Sequence, residues 1–145
     1  MKLDILAFGA HPDDVEISCG ATLLKYAKEG KSIGIIDLTE GELGTRGSSE
    51  KRYEEANKAA EILGLKIRQN LNMGDGFIAQ SEENKLKIIE CIRKYQPELV
   101  LANSVHDRHP DHAKGAKLVA EASFLSGLRK IETKSDGLPQ QAYRP

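Results

Sequence analysis

The sequence predicts an α/β protein with a Rossmann-like, doubly wound and mostly parallel sheet that carries helices on both faces. Apolar runs of strand length alternate with stretches in which apolar residues recur every three or four positions. This alternation is typical of parallel strands joined by right-handed helical crossovers. The chain has 145 residues, of which 39% are hydrophobic and 30% charged, and we expect one domain spanning residues 1–145.

The first part of the chain predicts two strands with a helix between them. Residues 3–8 are mostly apolar and of strand length, and a helix is expected from Val15 to Gly30, since glycine commonly terminates a helix. The apolar spacing predicts the buried face of that helix: Ile17, Ala21, Leu24 and Ala27. The isoleucine-rich residues 32–38 predict a second strand, and the polar, glycine-rich residues 39–48 predict a loop at its carboxyl end.

The next helix and strand are bounded by clear signals. Ser48 or Ser49 is expected to cap a helix that closes at Gly64. The predicted apolar stripe of this helix consists of Tyr53, Ala56, Ala60 and Leu63. Residues 65–71 predict a weaker third strand. The loop that follows contains Asn72, Gly74, Asp75 and Gly76.

A third and a fourth helix are predicted on either side of the fourth strand. Ser81 starts a helix that Pro97 stops, and residues 98–102 form the strand. The predicted apolar faces are Leu86, Ile89 and Ile92 in the third helix, and Ala116, Val119, Ala120 and Phe124 in the fourth. From Gly127 onward the periodicity is lost, and residues 136–139 predict a turn or loop. We expect that the chain lacks its C-terminal part.

Two turns rich in histidine and aspartate follow the first and fourth strands. Residues 11–14 read His-Pro-Asp-Asp, and residues 109–112 read His-Pro-Asp-His. In the common doubly wound orders these two strands are neighbours, and their carboxyl ends border a crevice. Either turn alone could be an ordinary turn with an aspartate helix cap. Their coincidence at the predicted crevice favours a functional site.

Three of these side chains have the types and spacing of a metal site. Catalytic zinc takes three protein ligands from nitrogen and carboxylate oxygen, and His11, Asp14 and one histidine of the second turn would supply them. His112 is favoured over His109 because it begins a helix, as Asp14 does, so that its backbone is held. The same ligand types permit Fe²⁺ or Co²⁺.

The other polar groups of the two turns predict acid–base chemistry. Asp13 adjoins Asp14 and is the expected general base, because a carboxylate suffices to take a proton from a metal-activated water. His109 is expected to stabilise an oxyanion or to protonate a leaving amine. Asp111 is expected to hold a histidine in one tautomer.

Charged side chains elsewhere are candidates for substrate binding. Arg46, Arg52 and Arg108 would anchor an anionic group, because arginine binds carboxylates bidentately. The alternative is that they are surface arginines or intrahelical partners. Glu42, like its neighbour Glu40, is either a substrate contact or an ordinary loop charge.

The composition argues against several classes of partner. The net charge is −1 and no basic patch is interleaved with aromatic residues, so we expect no nucleic-acid binding. No apolar run has the length of a membrane span, and Met1-Lys2 leads directly into a strand rather than a signal peptide. Cys19 and Cys91 fit no disulfide framework or CxxC site, and we expect reduced core residues of a cytoplasmic protein.

At these residues the chain resembles the LmbE-like or PIG-L deacetylases, zinc enzymes that remove the acetyl group from N-acetylglucosamine conjugates. The resemblance rests on the turn at 10–14, the Thr-Glu-Gly-Glu loop at 39–42, Arg52 with Glu55 and Ala56, and the turn at 109–112. The segments at 107–112 and 126–130 are most similar to the bacillithiol-biosynthesis branch, which deacetylates N-acetylglucosaminyl malate.

The resemblance implies zinc on His11, Asp14 and His112, with Asp13 as base and His109 as its electrostatic or acid partner. It also implies Asp111 as a supporting group, a small-molecule N-acetylglucosamine conjugate as substrate, and a homo-oligomer. Two departures stand out. Some relatives carry a catalytic tyrosine just before the second motif, near the place of Asp107 here. Members also continue beyond the point at which this chain ends.

Two other functions are compatible with the sequence. Two histidines and one carboxylate also describe the facial triad of non-haem iron(II) oxygenases, although the parallel α/β pattern and the adjacent Asp13 favour a hydrolase. The short C-terminus would also suit a catalytically incompetent fragment or a binding module.

Overall fold

The structure is a computed structural model that describes residues 1–145. A four-stranded parallel sheet with four helices forms the body of the molecule. The strands are β1 (Ile5–Gly9), β2 (Ile33–Asp37), β3 (Ile67–Asn70) and β4 (Leu99–Leu101). The helices are α1 (Asp14–Lys28), α2 (Ser49–Leu63), α3 (Glu82–Tyr95) and α4 (Pro110–Leu125). The predicted fold class is therefore confirmed.

The strand order β3-β2-β1-β4 brings the first and fourth strands together. Ile5 pairs with Ile33 of β2 on one side and with Leu99 of β4 on the other. All these pairings are parallel, so the segments that leave β1 and β4 emerge at the same edge of the sheet. The predicted crevice between the two turns is thus present.

Successive residues of β1 face opposite sides of the sheet. Leu6 and Phe8 belong to one buried apolar cluster, which includes residues of α3 and α4. Ile5 and Ala7 belong to the second cluster, which includes residues of α1 and α2. Because both faces of the strand are buried, its sequence is continuously apolar rather than alternating.

The predicted buried faces of the helices were partly wrong. In α1, Ile17 is 81% exposed, and the buried residues are Val15, Gly20 and Leu23. Tyr53 of α2 and Phe124 of α4 are 68% and 59% exposed. Ala21 and Ala120 are also exposed, whereas the other residues of the predicted stripes are buried or partly buried. Each of these helices carries more than one apolar stripe, and packing against the sheet selects among them.

The helix caps follow the sequence signals. The hydroxyl of Ser48 accepts a hydrogen bond from the Lys51 backbone N–H, and that of Ser81 accepts one from Asn84. Gly64 ends α2 in the left-handed conformation, with a φ of 66°.

Cys91 is buried and Cys19 is half-buried, and both are free thiols.

The C-terminal segment contains a short hairpin, where the sequence predicts only a turn or loop. Strands β5 (Lys134–Ser135) and β6 (Leu138–Pro139) pair antiparallel. Asp136 and Gly137, with φ values of 53° and 80°, form the connecting turn. Aspartate followed by glycine is a strong hairpin signal, and it correctly marks this turn.

Buried Arg93 of α3 holds the segment that precedes the hairpin. Its guanidinium donates hydrogen bonds to the carbonyl oxygens of Ser126, Leu128 and Ile131. It also donates to the hydroxyl of Thr133, at 2.7 Å.

No helix of the molecule has the length and apolar character needed to cross a bilayer.

A second buried charged group joins β2, β3 and α1. The Arg68 guanidinium donates to both carboxylate oxygens of Asp37, at 2.8 and 3.0 Å, and to Glu16. Only 6% of the Arg68 side chain and 5% of the Asp37 side chain are exposed. Burial raises the pKa of Asp37, which the Arg68 cation opposes.

Arg68→Met is expected to lower the free energy of unfolding by about 3–5 kcal/mol, because it leaves the buried Asp37 without its cation. The double variant Arg68→Met/Asp37→Asn should lose less than Arg68→Met alone, since no buried charge is then stranded at Asp37. Urea unfolding measures both, with exposed Arg129→Ala as the control that stays close to wild type. A double variant less stable than Arg68→Met would contradict this account.

Candidate metal centre

Asn103, just after β4, binds the histidine-containing turn that follows β1. Its side-chain oxygen accepts a hydrogen bond from the Ala10 backbone N–H at 2.8 Å. Its amide nitrogen donates to Asp14 Oδ2 at 3.0 Å. Asp14 also accepts from the His11 backbone N–H at 3.0 Å, so the carboxylate that starts α1 is fixed from both strands. No motif in the sequence indicates this role for Asn103.

Three imidazoles meet at this edge of the sheet. The ring centroids of His11 and His109 are 4.6 Å apart, and those of His109 and His112 are 4.8 Å apart. The His11 and His112 centroids are separated by 5.4 Å. One nitrogen from each of the three rings lies within 4.8 Å of the others. The two turns, far apart in sequence, therefore form one cluster.

The carboxylate of Asp14 lies between His11 and His112. Asp14 Oδ2 is 3.5 Å from His11 Nδ1, and Asp14 Oδ1 is 3.2 Å from His112 Nε2. The three residues predicted to bind metal are thus brought together, with a different oxygen of Asp14 facing each imidazole. His109 is close enough to be an alternative member of the set.

Asp75 and Asp111 border the opposite side of His11. Asp75 Oδ1 is 3.1 Å and Asp111 Oδ2 is 3.6 Å from His11 Nε2, and both residues are buried. These three side chains also place one ligand atom each within 4.8 Å of the others. The sequence predicts only a loop at Asp75. The feature that could have indicated a special position is the Gly74-Asp75-Gly76 sequence, in which both glycines have positive φ.

The surplus of carboxylates shapes the electrostatics of the cluster. Burial disfavours the charged imidazole of His11, but the hydrogen bond and charge of Asp14, with the charges of Asp75 and Asp111, raise its pKa to about 9. Burial likewise works against the charge of Asp14, and its hydrogen bonds from His11 and Asn103 lower its pKa to about 2. The site therefore favours positive charge beside Asp14.

The residues present fit a divalent metal ion. Asp111 is fully buried, and its Oδ1 atom has no hydrogen-bond partner, while Oδ2 accepts from Gly76 N at 2.6 Å. Imidazole nitrogens and carboxylate oxygens are the donor types that Zn²⁺ binds, and Fe²⁺ and Co²⁺ accept them as well. A cation bound beside these donors would give the unpaired, buried carboxylate oxygen a partner.

Asp13 differs from its neighbours because its carboxylate is exposed and makes no capping hydrogen bond to α1. It borders a cavity of about 370 Å³ together with His11 and His109. The same cavity is lined by Asp75 and by Arg52. A free carboxylate, two imidazoles and a guanidinium thus face one space that is open to solvent.

The residues predicted to contact substrate are placed unequally. The Arg52 guanidinium packs over Gly41 and Gly44 in the wall of that cavity, so closely that a Cβ on Gly44 would collide with Arg52 Nη2. Arg46 lines an adjoining cavity of about 390 Å³ that shares Asp13 and Arg52. Glu42 accepts a hydrogen bond from the Asp75 backbone N–H at 2.7 Å. Arg108 is exposed and lines neither cavity.

Similar solved and curated proteins support the architecture. A conserved protein of Thermus thermophilus, TT1542, superposes with a TM-score of 0.91 at 42% identity, over 98% of this chain and 63% of that one. Diacetylchitobiose deacetylase of Thermococcus kodakarensis is 33% identical over a region that covers 86% of this chain and 50% of that protein. The 4-oxalmesaconate hydratase of Pseudomonas putida is 28% identical over a region that covers 97% of this chain and 60% of the hydratase.

The chain spans between about half and two thirds of the length of these relatives. A family profile also matches most of this chain. Residues 6–123 match the family described as PIG-L, GlcNAc-PI de-N-acetylase, and this stretch includes both histidine-containing turns and the Asp75 loop. On this match, the chain belongs to the PIG-L family of deacetylases.

Proposed function

We propose that this protein is a metal-dependent hydrolase that removes the acetyl group from an N-acetylglucosamine conjugate. The observation that carries the proposal is the free carboxylate of Asp13 beside a His/Asp cluster in one cavity. Membership of the PIG-L family and the similarity to a diacetylchitobiose deacetylase support the same substrate class. The reaction consumes one water and yields acetate and a free amine.

His11, Asp14 and His112 are the residues that would hold the metal ion, for which we propose Zn²⁺. When bound, such an ion supplies Lewis-acid activation of water and of a carbonyl group. Asp14 is suited to this role because Asn103 and the His11 backbone fix its orientation. The preference for these three over His109 rests on the position of Asp14 between the two imidazoles.

Asp13 would act as the general base, taking a proton from the water that attacks the amide carbonyl carbon. Its carboxylate is exposed to the cavity and free of capping hydrogen bonds, so it can accept that proton. The carbonyl π bond opens as the C–O bond forms. The C–N bond then breaks as the amine nitrogen receives a proton.

His109 would supply that proton or stabilise the oxyanion. Its Nδ1 accepts a hydrogen bond from the Asp111 backbone N–H at 3.3 Å. Accepting at Nδ1 favours the neutral tautomer that carries its proton on Nε2. An Nε2–H group in the cavity can donate to developing negative charge, and a protonated imidazole can transfer a proton to the leaving amine. Asp111 supports His109 through this backbone contact.

Asp13→Asn is expected to reduce turnover by about 100-fold or more, because the amide cannot accept the proton. Metal content should be unchanged, since Asp13 lies outside the proposed ligand set. Amine release from N-acetylglucosamine conjugates and elemental analysis of the purified chain measure the two quantities. Full turnover with bound metal in Asp13→Asn would exclude this residue as the base.

The finer proposal concerns the group attached to the sugar. We propose a conjugate with an anionic aglycone, N-acetylglucosaminyl malate of bacillithiol biosynthesis, with Arg52 and Arg46 as its carboxylate contacts. Both arginines line the cavities that share Asp13, which supports a position close to the scissile amide. Arg108 is a weaker candidate because its side chain is exposed outside them.

Arg52→Ala is expected to raise KM for N-acetylglucosaminyl malate by about tenfold, as lost charge-assisted hydrogen bonds are worth roughly 1.5–3 kcal/mol. KM for the neutral substrate diacetylchitobiose should change little. Steady-state amine-release kinetics on both substrates test this, with exposed Arg129→Ala as the matched control. Equal changes in KM for the two substrates would argue against a carboxylate contact.

A hydratase is a second candidate, because the Pseudomonas putida relative is similar over nearly the whole of this chain. A hydratase adds water across a carbon–carbon double bond and releases no amine. The amine-release assay therefore distinguishes the two functions. None of the comparisons supports the iron(II) oxygenase alternative. An inactive chain that still binds metal would favour the fragment or binding-module alternative.

A further inference from the structure

Both imidazoles that flank Asp14 have a second carboxylate on their outward-facing nitrogen. The His11 ring faces Asp14 with Nδ1, and its Nε2 lies 3.1 Å from Asp75 Oδ1, with Asp111 Oδ2 farther away at 3.6 Å. The His112 ring faces Asp14 with Nε2, and its Nδ1 lies 3.1 Å from Asp107 Oδ2. The two rings thus use opposite nitrogens for the same arrangement.

Each outer carboxylate is itself held by a backbone N–H group. Asp75 Oδ2 accepts from the Leu43 backbone N–H at 2.9 Å. Asp107 Oδ1 accepts from the His109 backbone N–H at 2.8 Å. The oxygen that remains on each side faces an imidazole nitrogen. Because an ionised carboxylate can only accept a hydrogen bond, each outer carboxylate favours the ring form that carries a proton on the nitrogen it faces.

We propose that Asp75 and Asp107 are positioning residues that fix the tautomers of His11 and His112. With protons held on His11 Nε2 and His112 Nδ1, the nitrogens that face Asp14 are left with free lone pairs when the rings are neutral. This inference rests on the proposed function, because it assigns the two inner nitrogens to a metal ion. Carboxylates that accept from the outer N–H of a ligand histidine commonly raise metal affinity in this way.

The Asp75–His11 and Asp107–His112 pairs differ in burial and in the hydrogen bonds that hold each aspartate. Asp75 is 8% exposed, and its own N–H is bound by Glu42 while its carboxylate binds the backbone of Leu43. It therefore links His11 to the wall of the cavity. Asp107 is exposed, in the loop before α4. We expect substitution of Asp75 to have the larger effect.

Asparagine variants test the tautomers directly. In Asp107→Asn, the amide oxygen can still accept from the His109 N–H, and the NH₂ group then faces His112 Nδ1. A donor at this place favours the tautomer with the proton on Nε2. That proton would block the nitrogen that we propose binds the metal. In Asp75→Asn, the amide can satisfy only one of the two N–H groups that the carboxylate accepts.

The experiment measures the Zn²⁺ dissociation constant of the full chain by competition with a chelator. We expect each asparagine variant to bind Zn²⁺ about 10–100-fold more weakly than wild type. In ¹⁵N-labelled, metal-free protein, at a pH where the imidazoles are neutral, the Nε2–H tautomer of His112 should be more populated in Asp107→Asn than in wild type. Asp107 is exposed, so this variant is expected to fold.

The matched control is Asp4→Asn, a carboxylate that accepts hydrogen bonds from Ser32 and Lys31 at the amino end of β1. It should bind Zn²⁺ as wild type does. Wild-type affinity in both Asp75→Asn and Asp107→Asn, or an unchanged His112 tautomer, would overturn this inference while the proposed function stands. Failure of the wild-type chain to bind Zn²⁺ at all would overturn both.

Discussion

The hydrogen bonds of Asn103 with Ala10 and Asp14 are the contacts on which the site depends most directly. They join the segment leaving β4 to the segment leaving β1, two strands that are neighbours only because the chain order reverses beside β1. Without this junction, the parallel sheet would still place both turns at one edge, but the Asp14 carboxylate would keep only its hydrogen bond from the His11 backbone N–H. The backbone topology therefore provides proximity, and one amide side chain provides orientation.

The cluster concentrates negative charge at the start of two helices. Asp13 and Asp14 lie at the beginning of α1, and Asp111 lies in the first turn of α4. The partial positive charge of a helix N-terminus stabilises carboxylates placed there, which allows several to approach one another. Three imidazoles then share the space between them. Glu16, also in the first turn of α1, faces Arg68 instead, so one helical turn serves two separate charged groups.

The meeting of His11 and His112 could be predicted from sequence because it follows from strand order, and strand order follows from the alternation of apolar runs. The role of Asp75 could not be predicted in the same way. Its position depends on a loop whose path is set by positive φ angles at Gly74 and Gly76, and loop paths are not encoded in hydrophobic periodicity. The buried face of α1 was misassigned for a related reason, since the stripes containing Val15 and Ile17 are both apolar and only packing distinguishes them.

Arg93 has a consequence for the dynamics of the C-terminal segment. One buried guanidinium binds the backbone of Ser126, Leu128 and Ile131 and the side chain of Thr133, with no carboxylate among its partners. These contacts depend on one another, because withdrawal of the guanidinium removes the donor from three carbonyl groups and one hydroxyl at once. The segment is therefore expected to open as a single cooperative unit in hydrogen exchange or limited proteolysis, rather than fraying residue by residue from its end.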